Sequence, residues 1–239
     1  KRQVTGDGTK DKIRIRAANQ TDDEAYSSLT VSVNGKTAYR LKNTRFYNVI
    51  ANIYTLKNGQ PFLYLYAPAE NGDGPVCALL KYTNGKFRKI LDFTEIMAGY
   101  GDHRIGEVTN LNGNKIVITE SIVSYSLGIN AINFTYEYVN GKFVPTSRYG
   151  SYKEIYSADG SSRHFTVSSD LPAYTRPGAT AVNTTLKTGS LTKIIKCALI
   201  SGKMYIQLEC DGEIYWIKAL ENPPISDNER QFMEVRYAG

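Results

Sequence analysis

Catalytic chemistry in this chain would have to come from two histidines, three cysteines and scattered carboxylates. His103 follows Asp102 in Gly99-Tyr100-Gly101-Asp102-His103-Arg104, a loop-like stretch where an Asp–His pair could activate a nucleophile. No Gly-x-Ser-x-Gly, His-Glu-x-x-His or phosphate-loop pattern accompanies it, and His164 stands 61 residues away. The other reading of His103 is a solvated loop histidine. Cys77, Cys197 and Cys210 form no Cys-x-x-Cys pair, which removes the usual zinc and redox signatures. If Ser201-Gly202 is a two-residue hairpin turn, Cys197 faces Ile206. Cys210 then lies four residues further along, about 13 Å at strand rise. That is too far for a bridge, so free and mostly buried thiols are expected. Together these residues point away from an enzyme.

The composition is globular: 41% hydrophobic and 22% charged over 239 residues, with 18 tyrosines. Tyr suits strands and half-wet surfaces. No apolar run reaches the length of a membrane span. The opening residues read as a loop without a signal-peptide pattern, so an exported chain would already have lost its signal. The net charge of +6 is uneven. Residues 1–50 hold ten Lys/Arg against five Asp/Glu, and residues 201–239 hold four against seven. The basic end could meet an acidic partner, nucleic acid or an anionic wall polymer, although nucleic acid is not the expected ligand. The alternation Ile13-Arg14-Ile15-Arg16 is equally that of a half-buried strand with a solvated face.

The elements that must position any site are hairpins. Asn-Gly occurs at residues 34, 58, 84, 112 and 140, with Asp-Gly at 159 and 211. Between alternating residues this dipeptide is the strongest short hairpin signal. Leu79–Phe87 resembles Phe134–Phe143, with the Asn-Gly turns 56 residues apart, and the turns at 58 and 112 are 54 apart. A further copy surrounds Asn34. The expected fold is all-β: a propeller-like or sandwich-like repeat of about three four-stranded units over 1–148. A linker over 149–163 follows, where the composition turns Ser/Tyr/Gly-rich. A separate module covers 164–239. Helix candidates are short, one near Phe93–Met97 and one after Ser226, where Glu229 has capping-box spacing.

Gly6-Asp7-Gly8-Thr9-Lys10-Asp11, followed by the strand Lys12–Ile15, resembles the calcium loop of FG-GAP repeats in bacterial surface proteins. Asp7 and Asp11 are the metal candidates that this resemblance implies. Gln3 stands where the family has its first Asp, so little or no calcium binding is expected.

Leu171-Pro172-Ala173-Tyr174-Thr175-Arg176-Pro177-Gly178 resembles the opening of bacterial Src-homology-3-like domains. Thr185–Ile194, Met204–Leu208 and Asp211–Ile217 match their later segments, so the resemblance covers about residues 165–219. Tyr215 departs from it, standing where the family has Gly before its Trp. The resemblance implies a small barrel that binds cell-wall peptides or proteins. Tyr174, Arg176, Tyr205 and Tyr215 are its candidate ligand-binding residues, with Tyr174 expected to be exposed. Trp216 reads either as core or as part of that surface. The expected function is a non-catalytic, secreted or surface-attached bacterial binding protein without a cofactor. Its expected partner is a wall peptide, glycan or surface protein. The alternative is a carbohydrate-active or other wall-processing enzyme with a targeting barrel.

Overall fold

The computed structural model describes residues 3–6, 8–20, 24–155, 157–158, 160 and 162–236. Strand dominates, and no α-helix occurs among the described residues. Strands β1 (Ile13–Gln20), β2 (Tyr26–Val33) and β3 (Lys36–Phe46) form an antiparallel sheet. A four-stranded antiparallel sheet follows: β4 (Ile50–Thr55), β5 (Pro61–Ala67), β6 (Val76–Thr83) and β7 (Lys86–Asp92). The long strands β8 (Gly101–Asn112), β9 (Lys115–Ser124) and β10 (Gly128–Val139) come next, then β11 (Lys142–Pro145), β12 (Tyr149–Ile155) and β13 (His164–Thr166). A short pair, β14 (Leu171–Ala173) and β15 (Thr184–Leu186), stands apart. The chain then forms the meander β16 (Leu191–Ile200), β17 (Lys203–Cys210) and β18 (Glu213–Lys218). The largest sheet runs in the order β18-β17-β16-β12-β10-β9-β8, with β11 on β10 and β13 on β16, and curls into a half-barrel.

The turn chemistry explains this order. Asn34-Gly35, Asn84-Gly85, Asn140-Gly141, Ser201-Gly202 and Asp211-Gly212 all place both central residues at positive φ, from 50° to 85°. That is the type I′ geometry whose twist matches paired strands. Asn58-Gly59 sits in a longer loop, where Asn58 Oδ1 accepts from the Gln60 amide at 3.0 Å. At the fourth Asn-Gly the turn falls one residue later, on Gly113-Asn114, with Gly113 at φ 65° and only this residue at positive φ. The Asp159-Gly160 signal falls on a position outside the described residues. Of the three expected repeat units, the first has three strands, the second four, and the third, β8–β11, belongs to the largest sheet.

By contacts the chain divides into two units. The first comprises residues 1–96, 110–116 and 137–144, and the second residues 97–109, 117–136 and 145–239. The stretch expected as a linker, 149–163, contains β12, paired with both β10 and β16. In the first unit, β5 reads Phe62-Leu63-Tyr64-Leu65-Tyr66-Ala67 and every one of these residues is buried. Such a run is what a strand covered on both faces requires. Leu63, Leu65 and Ala67 pack with Leu29, Val31 and Val33 of β2. On the other face Phe62 meets the rings of Tyr138 and Phe143, at 5.0 and 5.1 Å, and Tyr64 meets Phe93 at 5.8 Å.

The two expected helices are single 3₁₀ turns, Phe93–Glu95 and Asp227–Glu229. Asp92 caps the first through the Thr94 amide. Ser226 makes no side-chain cap, and Glu229 accepts instead from the Ile225 amide at 2.8 Å.

Candidate functional site

The second unit presents a face on which aromatic rings and cations interleave. Across the sheet, Tyr149 of β12 stands opposite Ala198 of β16, which stands opposite Tyr205 of β17, which stands opposite Lys218 of β18. One pair along, Ser151 faces Lys196, Lys196 faces Gln207, and Gln207 faces Trp216. Because side chains alternate along strands, these positions share one face, and Met204, Ile206 and Leu208 fill the other. The chain after β14 lies against the β18 edge. Tyr174 and Trp216 exchange backbone hydrogen bonds, N–H to O, of 2.8 and 2.9 Å. Tyr174, Ala198, Tyr205 and Trp216 form a buried cluster on this face, with Tyr149, Ala179 and Ile200 packed around it.

Three cations are placed over these rings. Lys196 Nζ lies 4.5 Å from the Tyr149 ring centre and the Arg148 guanidinium 5.2 Å from it. Lys218 Nζ lies 5.3 Å from the Tyr174 ring, and Tyr149 packs on Trp216 with centroids 5.9 Å apart. Exposed Arg176 follows in the loop beyond Tyr174. Contacts within about 6 Å of a ring face are favourable, so the rings hold the cations in place without neutralising them.

Tyr174, expected to be exposed, is 6% exposed, and Tyr205 is 5% exposed. Both rings form the floor of the face rather than its rim, because they pack in one cluster with Ala198 and Trp216, with Ala179 of the loop after β14 against it. Trp216 is 4% exposed and resolves to core. Tyr215 stands opposite Leu208 and, by alternation, on the face away from Trp216, so Tyr174 and Tyr215 do not converge. Sequence reasoning passed over the half-buried Tyr149 and the cations Arg148, Lys196 and Lys218. The one available signal for Tyr149 was its alternation with Ser151 and Lys153 against Gly150 and Tyr152.

The candidate calcium loop is built differently. Asp7 lies outside the described residues. Asp11 accepts from the backbone amides of Val4 and Thr5 at 2.6 and 2.9 Å and from Asn34 Nδ2 at 2.7 Å. The Thr5 hydroxyl adds contacts at 3.1 and 3.0 Å. Partial burial pushes this carboxyl up, but the donations from Val4, Thr5 and Asn34 outweigh it and hold it below the usual carboxylate value. Asp11 therefore anchors the first residues to the β2–β3 turn. Asp11→Ala should lower stability by about 1–3 kcal/mol, because two amides and an Asn side chain lose their acceptor. A depressed carboxyl stabilises the fold above its unfolded value, near pH 4, and that stability is lost as pH falls through the lower folded value. The wild-type should accordingly lose more stability than Asp11→Ala between pH 4 and pH 2, and millimolar calcium should leave its melting temperature unchanged. Thermal melts across pH, with and without calcium, check both.

The remaining chemistry is quiet. Asp102 accepts from the Tyr125 hydroxyl at 3.2 Å, and the His103 side chain lies outside the described residues. His164 is exposed, with Nδ1 2.9 Å from the Ser162 carbonyl oxygen. All three cysteines are buried thiols outside any disulfide, and Cys197 stands opposite Ile206 as the hairpin register requires. Burial pushes the Cys197 thiol up to about 12, far from the thiolate a nucleophile needs. Among the described residues no group of three or more His, Cys, Asp or Glu could hold a metal ion. No helix among them is long and apolar enough to cross a membrane.

These features define an all-β chain with a half-barrel sheet and an aromatic, cationic face. A scan of protein-family models, a search of curated proteins and a search of solved structures each return no match.

Proposed function

We propose that the protein is a non-catalytic bacterial binding protein, secreted or held at the cell surface. Its C-terminal module takes an acidic peptide, from the cell wall or from a surface protein, on the face around Tyr149 and Trp216. The observation that carries this reading is the pairing of Lys196, Arg148 and Lys218 with the Tyr149 and Tyr174 rings. Held this way, the cations sit beside an apolar floor, where a peptide carboxylate gains a partner while its side chain covers the rings. Tyr149 is the anchor, since it is only half-buried and packs on a rigid neighbour.

Hydrolysis by paired carboxylates needs two of them about 5–10 Å apart across a cleft. The open cleft of about 510 Å³ at the Asn58 and Gly113 turns carries one carboxylate, Glu137. The cavity of about 320 Å³ beside Tyr100 carries Glu221, and a smaller one of about 180 Å³ carries Glu154. Single carboxylates favour the binding reading over the carbohydrate-active one.

Calorimetric titration with an acidic wall stem peptide and with its amidated twin tests the proposal. The acidic form should bind, and the amidated form should bind less tightly. Tyr149→Ala and Lys196→Gln should each weaken binding about tenfold, or about 1.4 kcal/mol, at unchanged melting temperature. Equal binding of the two peptides, or no binding of either, overturns the proposal.

A further inference from the structure

The β1–β3 sheet buries one face and leaves the other open. Leu29, Val31 and Val33 of β2 are 0–2% exposed, which fixes Ser28, Thr30 and Ser32 on the outward side. The register then sets their neighbours. Arg14 stands opposite Ser32, and Arg16 opposite Thr30, on the β1 side. Arg40 stands opposite Thr30, and Lys42 opposite Ser28, on the β3 side. A central row of hydroxyls is thus flanked by two rows of exposed cations. The rows are about 9.5 Å apart, and Arg14 and Arg16 are about 6.8 Å apart along their strand.

Two features separate this face from an ordinary solvated sheet. The three strands contain no Asp or Glu at all. None of the four cations joins an ion pair among the described residues. Four like charges held this close repel one another, and an external polyanion would relieve that repulsion. Arg forks suit phosphate oxygens, while the Ser28 and Ser32 hydroxyls donate to the Ala18 and Arg14 carbonyls at 3.3 and 3.4 Å and keep the track between the rows small and neutral. The tyrosines of these strands, Tyr26 and Tyr39, pack against the core instead. The face therefore lacks the stacking platform on which single-stranded nucleic acids rely.

We propose that this face binds a base-free phosphodiester polymer of the polyol-phosphate kind, along a track between the two cation rows. This site is on the first unit and is independent of the peptide face on the second.

Fluorescence anisotropy of the whole chain with labelled poly(glycerol phosphate), across a salt series, tests it. Neutralising four phosphates should give a slope of log affinity against log salt of about −3. Arg14→Gln/Arg16→Gln and Arg40→Gln/Lys42→Gln should each weaken binding about tenfold or more and flatten the slope by about 1–1.5. Lys142→Gln, an exposed charge on β11, should change neither by more than about twofold. Having two paired variants on separate strands guards against one of them failing to fold. A single-stranded oligonucleotide and heparin of similar charge serve as competitors, and both should displace the probe less well than unlabelled polymer. No binding at low salt overturns the proposal. So does unchanged affinity in both paired variants, or tighter binding of either competitor.

Discussion

Phe232→Ala should lower the stability of the second unit by about 3–5 kcal/mol, the usual cost of truncating a fully buried Phe. Phe232 is 0% exposed and packs on Phe165, also 0% exposed, with ring centres 5.5 Å apart. The segment that carries it runs beside β13 as a clip. The Met233 amide donates to the Thr166 carbonyl at 2.9 Å, and the Ser168 amide donates to the Gln231 carbonyl at 3.1 Å. Glu234 Oε2 accepts from the Thr166 amide at 2.7 Å, and the Ile129 amide donates to the Arg236 carbonyl at 2.9 Å. Removing the ring leaves a cavity against Phe165 and loosens the larger of the two buried apolar anchors of this segment, Val235 being the other. Urea unfolding followed by near-ultraviolet circular dichroism would report the loss as a lower midpoint at similar slope. A change below about 1 kcal/mol would mean that the clip is peripheral to the core.

Much of the strand framework was legible because turn chemistry is local. Asn-Gly and Asp-Gly specify positive φ at two adjacent residues, and the Ser201-Gly202 turn even fixed the partner of Cys197. The linker was not legible, because small and polar residues there have a packing cause. Gly150 lies between β10 and β16, where a Cβ would sit 2.5 Å from Phe134, 2.7 Å from Ile132 and 2.9 Å from the Cys197 sulfur. Crowding across three strands demands glycine at that point, and composition alone reads it as a loop. The shifted turn at Gly113-Asn114 has a conformational rather than a packing origin, since a Cβ at Gly113 would meet nothing within 4 Å. A single positive φ on glycine satisfies a two-residue hairpin without using the preceding Asn.

The candidate site was only half legible, because its parts are brought together by pairings distant in sequence. Tyr174, Tyr205 and Trp216 were recognisable as aromatics on neighbouring strands. Which of them is floor and which is rim depends on the loop after β14, whose Tyr174 bonds to Trp216 across 42 residues. Tyr149 reaches the cluster only because β12 pairs with β16. The spacing of Asp11 fits a metal loop at which little or no binding was expected, but the sequence does not show what the carboxylate does instead: its oxygens are committed to Val4, Thr5 and Asn34, the last 23 residues away.

Trp216→Ala should cost about 3–5 kcal/mol of stability, and its neighbour in sequence serves as the internal control. Trp216 is the largest ring of the cluster formed by Tyr174, Ala198 and Tyr205, and Tyr149 packs on it at 5.9 Å. Its backbone pairs with that of Tyr174, and its indole packs in the same buried cluster as the Tyr174 ring. Without it, Tyr149 loses its rigid backing, and Lys196 loses the fixed ring beneath it. Peptide binding should therefore fall together with the melting temperature. Tyr215 faces the other way, opposite Leu208, and is only half-buried. Tyr215→Ala should cost less stability, about 1–2 kcal/mol by the area it uncovers, and leave peptide affinity within twofold. Melting curves and calorimetric titrations on the two variants separate these outcomes. If Tyr215→Ala abolished binding while Trp216→Ala preserved it, the ligand would lie on the opposite side of β18, and the Tyr149 face would not be the site.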